Sequence, residues 1–152
     1  MKPQRRGLLK AAGALAVLAA GLLKPMAALA ATWHKEAFGA NSAPDALRTL
    51  GAAGAEPSGA IVIEAPQIAE NGAVVPIEIT SNIPGTTSIA VLIEKNPFPL
   101  AAKFDFLDGA LPYVKLNAKM GETSDVRVVA TAGGRNYTAA KEIKVTIGGC
   151  GG

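Results

Sequence analysis

The sequence predicts a mostly β protein: an immunoglobulin-like antiparallel β-sandwich of about seven strands, with a short N-terminal helix and a flexible C-terminal tail. Three observations lead there. From Ala60 onward apolar residues alternate with polar ones, the spacing of half-buried strands. Turn signals built from Gly, Pro, Asn and Asp recur at intervals of about 8–12 residues. No helical segments alternate with the strands, which sets aside a parallel α/β sheet. Two packed sheets are the natural way to bury such faces in a chain of this size.

The elements follow in order. Ser42-Ala43-Pro44-Asp45 has the form of a helix start, with Ser42 as cap and Pro44 in the first turn. Ala46, Leu47 and Leu50 give a short apolar stripe that Gly51 ends, and Ala53 to Gly59 reads as a linker by composition. Ile61 and Ile63 open the first strand, and Glu70-Asn71-Gly72 marks a turn. Val75, Ile77 and Ile79 alternate with Pro76, Glu78 and Thr80, a half-buried strand in which Pro76 predicts an edge or a bulge. Ile83-Pro84-Gly85 turns the chain into Ile89, Val91 and Ile93, whose interleaved Ala90 and Leu92 make a second apolar face. That strand is either central and buried on both sides or presents Ala90 and Leu92 to another protein. Asn96-Pro97-Phe98-Pro99 ends it as a turn. Phe104 with Phe106, Val114 to Ala118, and Val126 to Ala130 supply three more alternating strands, with turns at Asp108-Gly109 and Gly133-Gly134. Tyr137, Ala139, Ile143, Val145 and Ile147 share one parity of a long last strand, where Lys141 predicts a bulge or an open end.

Ahead of all this stands a leader. Lys2, Arg5, Arg6 and Lys10 precede an apolar run from Ala11 to Leu23, and Ala28-Leu29-Ala30 is a small-x-small cleavage pattern. Arg5-Arg6 before a modestly hydrophobic run points to a twin-arginine signal, the alternative being an ordinary leader with two adjacent arginines. The expected organisation is therefore a signal peptide at 1–30, helix and linker at 31–59, sandwich at 60–147 and a tail at 148–152. Cleavage after Ala30 leaves 122 of the 152 residues, with ten basic and twelve acidic side chains in place of the full chain's formal charge of +3. The mature protein is then mildly acidic, has no membrane span and lacks the basic patch that nucleic acid binding requires. The expected location is the periplasm.

Chemistry is scarce. His34 is the only histidine and Cys150 the only cysteine, so neither a zinc site nor a Cys-His dyad is expected, and no glycine-rich phosphate loop or hydrolase motif occurs. No catalytic residue, metal or resident cofactor is predicted. What remains is Cys150, flanked by Gly148 and Gly149 on one side and Gly151 and Gly152 on the other. Glycine's conformational freedom makes this a flexible arm, and five residues reach about 16 Å beyond the last strand. Without side chains the arm could thread a narrow channel in another protein. No Lys or Arg follows Lys144 to activate the thiol. Cys150 therefore reads as a covalent attachment point on which other active sites work.

Lys144 to Gly152 resembles the C-terminus of the SoxY family, the sulfur-carrier subunits of the bacterial thiosulfate-oxidising (Sox) system. Glu64 to Gly72, Asn96-Pro97-Phe98-Pro99 and the twin-arginine leader are similar to segments of that family as well. The resemblance implies a heterodimer with a SoxZ-like subunit and sulfur intermediates carried on Cys150. It further implies dealings with a c-type cytochrome complex, a sulfate-releasing hydrolase and a sulfur dehydrogenase.

Three other readings compete. An exported structural or adhesive sandwich module would use its terminal thiol only for cross-linking. A ubiquitin-like thiocarboxylate carrier would be activated at Gly152, against which stand export and the mostly β pattern. A thiol-dependent redox enzyme would need a second cysteine or a base that the chain does not supply.

Overall fold

Alternation from Ile61 to Val145 folds into two sheets that share one apolar layer. The computed structural model describes residues 34–146, all within one compact unit. The expected leader at 1–30 and the arm at 148–152 lie outside the described residues.

Among the described residues two short helices come first, α1 at Lys35–Phe38 and α2 at Ala43–Thr49. Nine strands follow: β1 at Glu56–Pro57, β2 at Ile61–Glu64, β3 at Ile68–Ala69, β4 at Val75–Ser81 and β5 at Thr86–Ile93. The last four are β6 at Leu100–Asp105, β7 at Tyr113–Ala118, β8 at Ser124–Ala132 and β9 at Arg135–Val145. The larger sheet runs β1-β9-β8-β5-β6, with β3 also on β9, and the smaller runs β2-β4-β7. The count exceeds the expected seven because β1 and β3 are two-residue pairings, too short to leave a periodicity. Both lie parallel to β9, β1 beside Tyr137 and Thr138, β3 beside Lys144 and Val145.

The shared core takes Ile77 and Ile79 from the small sheet and Ile89, Val91, Val126, Val128 and Ile143 from the large one. These are the odd positions of β4, β5 and β9 and the even positions of β8, as alternation demands. The remaining face of β5 is also dry. Ala90 and Leu92 join Leu100 and Val129 in a second cluster with Ala37, Ala43, Ala46 and Ala52. The two helices thus cover the large sheet's outer face, which settles β5 as central and buried on both sides. Ser42 caps α2 as expected, its Oγ accepting from the Asp45 N–H at 3.2 Å, and Gly51 closes it at φ 69°.

Two expectations need correction. Pro76 predicted an edge or a bulge, yet β4 is the middle strand of its sheet and neither of its ladders shifts register. Its β2 partner stops at Glu78, so Pro76 pairs only with β7, and one side has no ladder that its missing N–H would break. Lys141 predicted a bulge or an open end, yet the β8–β9 ladder runs past it from Ala132↔Arg135 to Ser124↔Ile143 without a register shift. Its chain reaches instead to the end of β2, where Nζ donates to the Ala65 carbonyl at 2.8 Å and faces that of Ile63 at 3.4 Å. The register shifts lie in β5, between Thr86 and Ser88 and between Val91 and Leu92. The Ala53 to Gly59 stretch, a linker by composition, contributes β1 and pairs Glu56 with Arg135.

Candidate functional site

The strand that leads to Cys150 is held on both sides up to its last described residue. On one side the Lys144 N–H donates to the Gln67 carbonyl at 3.0 Å and the Thr146 N–H to that of Ala69 at 3.1 Å. On the other, the Val145 N–H donates to Thr123 Oγ1 at 2.9 Å. The Thr146 hydroxyl reaches the Glu70 carbonyl at 3.3 Å. Ile143 is fully buried and Val145 packs against the same core, so side chains reinforce the backbone hold.

The neighbouring loops are pinned to one another. Asn96 Nδ2 donates to the Lys119 carbonyl at 2.7 Å while its Oδ1 accepts from the Gly121 N–H at 3.3 Å. The Lys95 N–H donates to Ser124 Oγ at 3.1 Å and the Met120 N–H to the Gly72 carbonyl at 2.7 Å. Pro99 is fully buried and its carbonyl accepts from the Ile93 N–H at 2.8 Å. Among the described residues three large apolar side chains nevertheless face water at this end of the sandwich: Ile68 at 54%, Val74 at 59% and Phe98 at 58% exposure.

Elsewhere the surface offers structure rather than chemistry. Tyr113 Oη and Lys115 Nζ converge on Glu78 at 2.7 and 2.6 Å across the β4–β7 pair. The Lys115 hydrogen bond first, and that of Tyr113 second, hold the Glu78 carboxyl below the usual carboxylate range. This is an exposed cross-strand ladder of small energetic weight. A cleft of about 570 Å³ lies between the β4–β5 and β6–β7 turns, at the end where β9 begins. The Ser81 and Thr86 hydroxyls on its wall are bonded to each other at 2.7 Å, and Thr86 also donates to the Ile83 carbonyl. Among the described residues there is no group of three or more His, Cys, Asp or Glu that could hold a metal. None of their helices is long and apolar enough to cross a membrane.

Cys150, Gly148, Gly149, Gly151 and Gly152 lie outside the described residues, so the structure gives the root of the arm and not the arm. His34, the other candidate, precedes α1 and makes no side-chain capping bond. Sequence reasoning missed the clamp at Gln67 to Glu70, whose only signal was the isolated Ile68 before the Glu70-Asn71-Gly72 turn.

Fold and site together define a small β-sandwich whose described residues assemble no metal centre, and whose chain is held through β9 as far as Thr146, four residues before the cysteine in sequence. Residues 47–150 match the sequence profile of a family described as sulfur oxidation protein SoxY. The chain belongs to the SoxY family. Among solved structures it is similar to the sulfur carrier protein SoxY from Chlorobium limicola f thiosulfatophilum, at 46% identity and a TM-score of 0.57, over 60% of this chain and 84% of that one. The superoxide reductase (neelaredoxin) from Ignicoccus hospitalis shares the fold alone, at 20% identity and a TM-score of 0.50, over 56% of this chain and 79% of that one. No curated protein sequence matches the chain.

Proposed function

We propose that this protein carries sulfur covalently on Cys150 while other enzymes oxidise it. Membership of the SoxY family and likeness to the Chlorobium carrier support the broader role, a sulfur carrier protein in sulfur oxidation. One observation carries the finer reading: the family match runs through residue 150, so the chain's only cysteine falls inside the shared region.

In the proposed cycle the Cys150 thiolate and the outer sulfur of thiosulfate form an S–S bond. The two electrons released pass to a c-type cytochrome complex. Water then attacks the sulfonate sulfur of Cys150–S–S–SO₃⁻, and sulfate leaves with the new oxygen while the sulfane sulfur stays as a persulfide. A sulfur dehydrogenase then oxidises that sulfur to the sulfonate Cys150–S–SO₃⁻, taking three oxygens from water and passing six electrons to a c-type cytochrome acceptor. A second attack of water on the sulfonate sulfur releases sulfate and frees the thiol. The chain itself is then no enzyme: it presents a group. A SoxZ-like subunit accompanies it in the periplasm, and the twin-arginine leader suits export of a folded pair.

The test is Cys150→Ser in a reconstituted sulfur-oxidising system. Turnover is expected to vanish while fold and partner binding persist, and unchanged turnover would sink the proposal. Intact mass before and after a reductant gives a second readout. Reductant-labile additions matching thiosulfate or sulfur atoms support the carrier, whereas disulfide dimers alone support the cross-linking module.

A further inference from the structure

The arm is short, and that decides where its users must sit. Cys150 lies four residues beyond Thr146, so at roughly 3.3–3.6 Å per residue it extends no more than about 14 Å from the last clamped position. An enzyme whose reacting group sits inside a channel must bring the mouth of that channel closer still. The surface around Thr146 is therefore covered whenever Cys150 is engaged. The cleft and the exposed Leu107 and Leu111 lie at the other end of β9, eleven residues and roughly 35 Å away. They are out of range.

We propose that Phe98, Val74 and Ile68 form an apolar docking rim around the root of the arm, and that its occupant is the channel mouth of each enzyme that processes Cys150. This rests on the carrier reading above. The three residues come from the β5–β6 loop, the start of β4 and β3, all at the end where β9 finishes. Each is more than half exposed, although large apolar side chains gain most from burial.

Phe98 is the anchor. It stands between Pro97 and Pro99, which limit the backbone, and Pro99 is itself fully buried. The two Asn96 hydrogen bonds to the β7–β8 loop fix the turn from the other side. A rigid, protruding aromatic loses little freedom on association, which is how a small contact yields useful affinity. Three such side chains around a glycine arm give a brief, non-obligate contact of small area. That suits a carrier released after each step.

The experiment uses the full carrier with its partner subunit, loaded with thiosulfate on Cys150, and a sulfate-releasing hydrolase of sulfur oxidation. The triple variant Ile68→Ser, Val74→Ser, Phe98→Ser is expected to lose about tenfold or more in kcat/KM, chiefly through KM, as removal of an interface anchor does. It should fall toward the value for a loaded synthetic peptide of residues 147–152. Alkylation of the free Cys150 thiol by iodoacetamide should proceed at the native rate. A Leu107→Ser, Leu111→Ser variant at the far end should be processed normally. Native kcat/KM in the triple variant, a free peptide as good as the whole carrier, or loss of the partner subunit from the triple variant would each overturn the rim. The two proposals fail separately: active Cys150→Ser removes the carrier reading, whereas inactive Cys150→Ser with a fully active triple variant removes only the rim.

Discussion

Lys141 on β9 donates a hydrogen bond from Nζ to the Ala65 carbonyl just past β2, at 2.8 Å. A cation on one sheet thus closes the frayed end of a strand in the other. Lys141 stands at the core-facing parity between Ala139 and Ile143, and Ala65 lies one residue past the end of the β2–β4 ladder at Glu64↔Glu78. Lys141→Ala is expected to lower stability by about 1–2 kcal/mol, the worth of a charge-assisted hydrogen bond at a half-buried position. Lys141→Met, which keeps the stem, should recover only the packing share. Urea denaturation measures both, and an unchanged midpoint for Lys141→Ala would show the contact to be idle.

The helical cover on the large sheet makes a larger prediction. Leu92 is fully buried beneath it. Leu92→Ala should cost about 2–5 kcal/mol, as cavity-forming substitutions in cores do. Deleting residues 31–52 would uncover Ala90, Leu92, Leu100 and Val129 together, and binding of a hydrophobic dye should rise with loss of the monomer. A monomeric, dye-silent deletion would mean that the helices are dispensable.

Acid should weaken the fold through two carboxyls. The Ser42 hydrogen bond first, then the Arg48 charge, hold Asp45 below its ordinary range, and Glu78 is held down by Lys115 and Tyr113. Both bind a proton less readily folded than unfolded. Their contribution is therefore complete above the unfolded pKa, about 4, and is lost as pH falls through the folded values. Asp45→Asn and Glu78→Gln should cost stability at pH 7 and little near pH 2. Equal losses at both pH values would point to packing instead of charge.

The glycines flanking Cys150 are expected to matter for access and not for bonding. Gly149→Trp with Gly151→Trp should reduce enzymatic turnover of the carrier by roughly ten- to hundredfold, the scale of a misplaced reacting group. Reaction of the same thiol with iodoacetamide should hold near its native rate. A parallel fall in both rates would place the effect on the thiol itself.

The fold was legible where side chains alternate. Val75 to Ile79 and Val114 to Ala118 each wrote a strand, because one buried face leaves every second position apolar. Ile89 to Ile93 and Val126 to Ala130 kept that parity and added apolar residues on the second face, Ala90 and Leu92 in one and Val129 in the other. Ser42, Pro44 and Gly51 marked α2 through cap and turn chemistry. What stayed hidden is held by backbone or by single long side chains. β1 and β3 exist through two-residue parallel pairings with β9, which impose no pattern on their own side chains. Lys141 looked like an interruption because its charge was visible and its partner carbonyl was not. The thiol was obvious in the sequence from its isolation, but the clamp on Lys144 and Thr146 was not, since carbonyls from Gln67, Ala69 and Glu70 carry no residue-specific mark. Thr123, which holds Val145, is an ordinary loop hydroxyl in the sequence.

That clamp has a mechanical consequence. On the proposed function, a channel that draws in Cys150 pulls β9 along its own axis. The bonds to parallel β3 and antiparallel β8 then bear the load together as a shear joint, instead of opening one after another like a zipper. Tension on the terminus is thereby spread over the sheet, and the sandwich should keep its shape each time the end is drawn into a channel and let go.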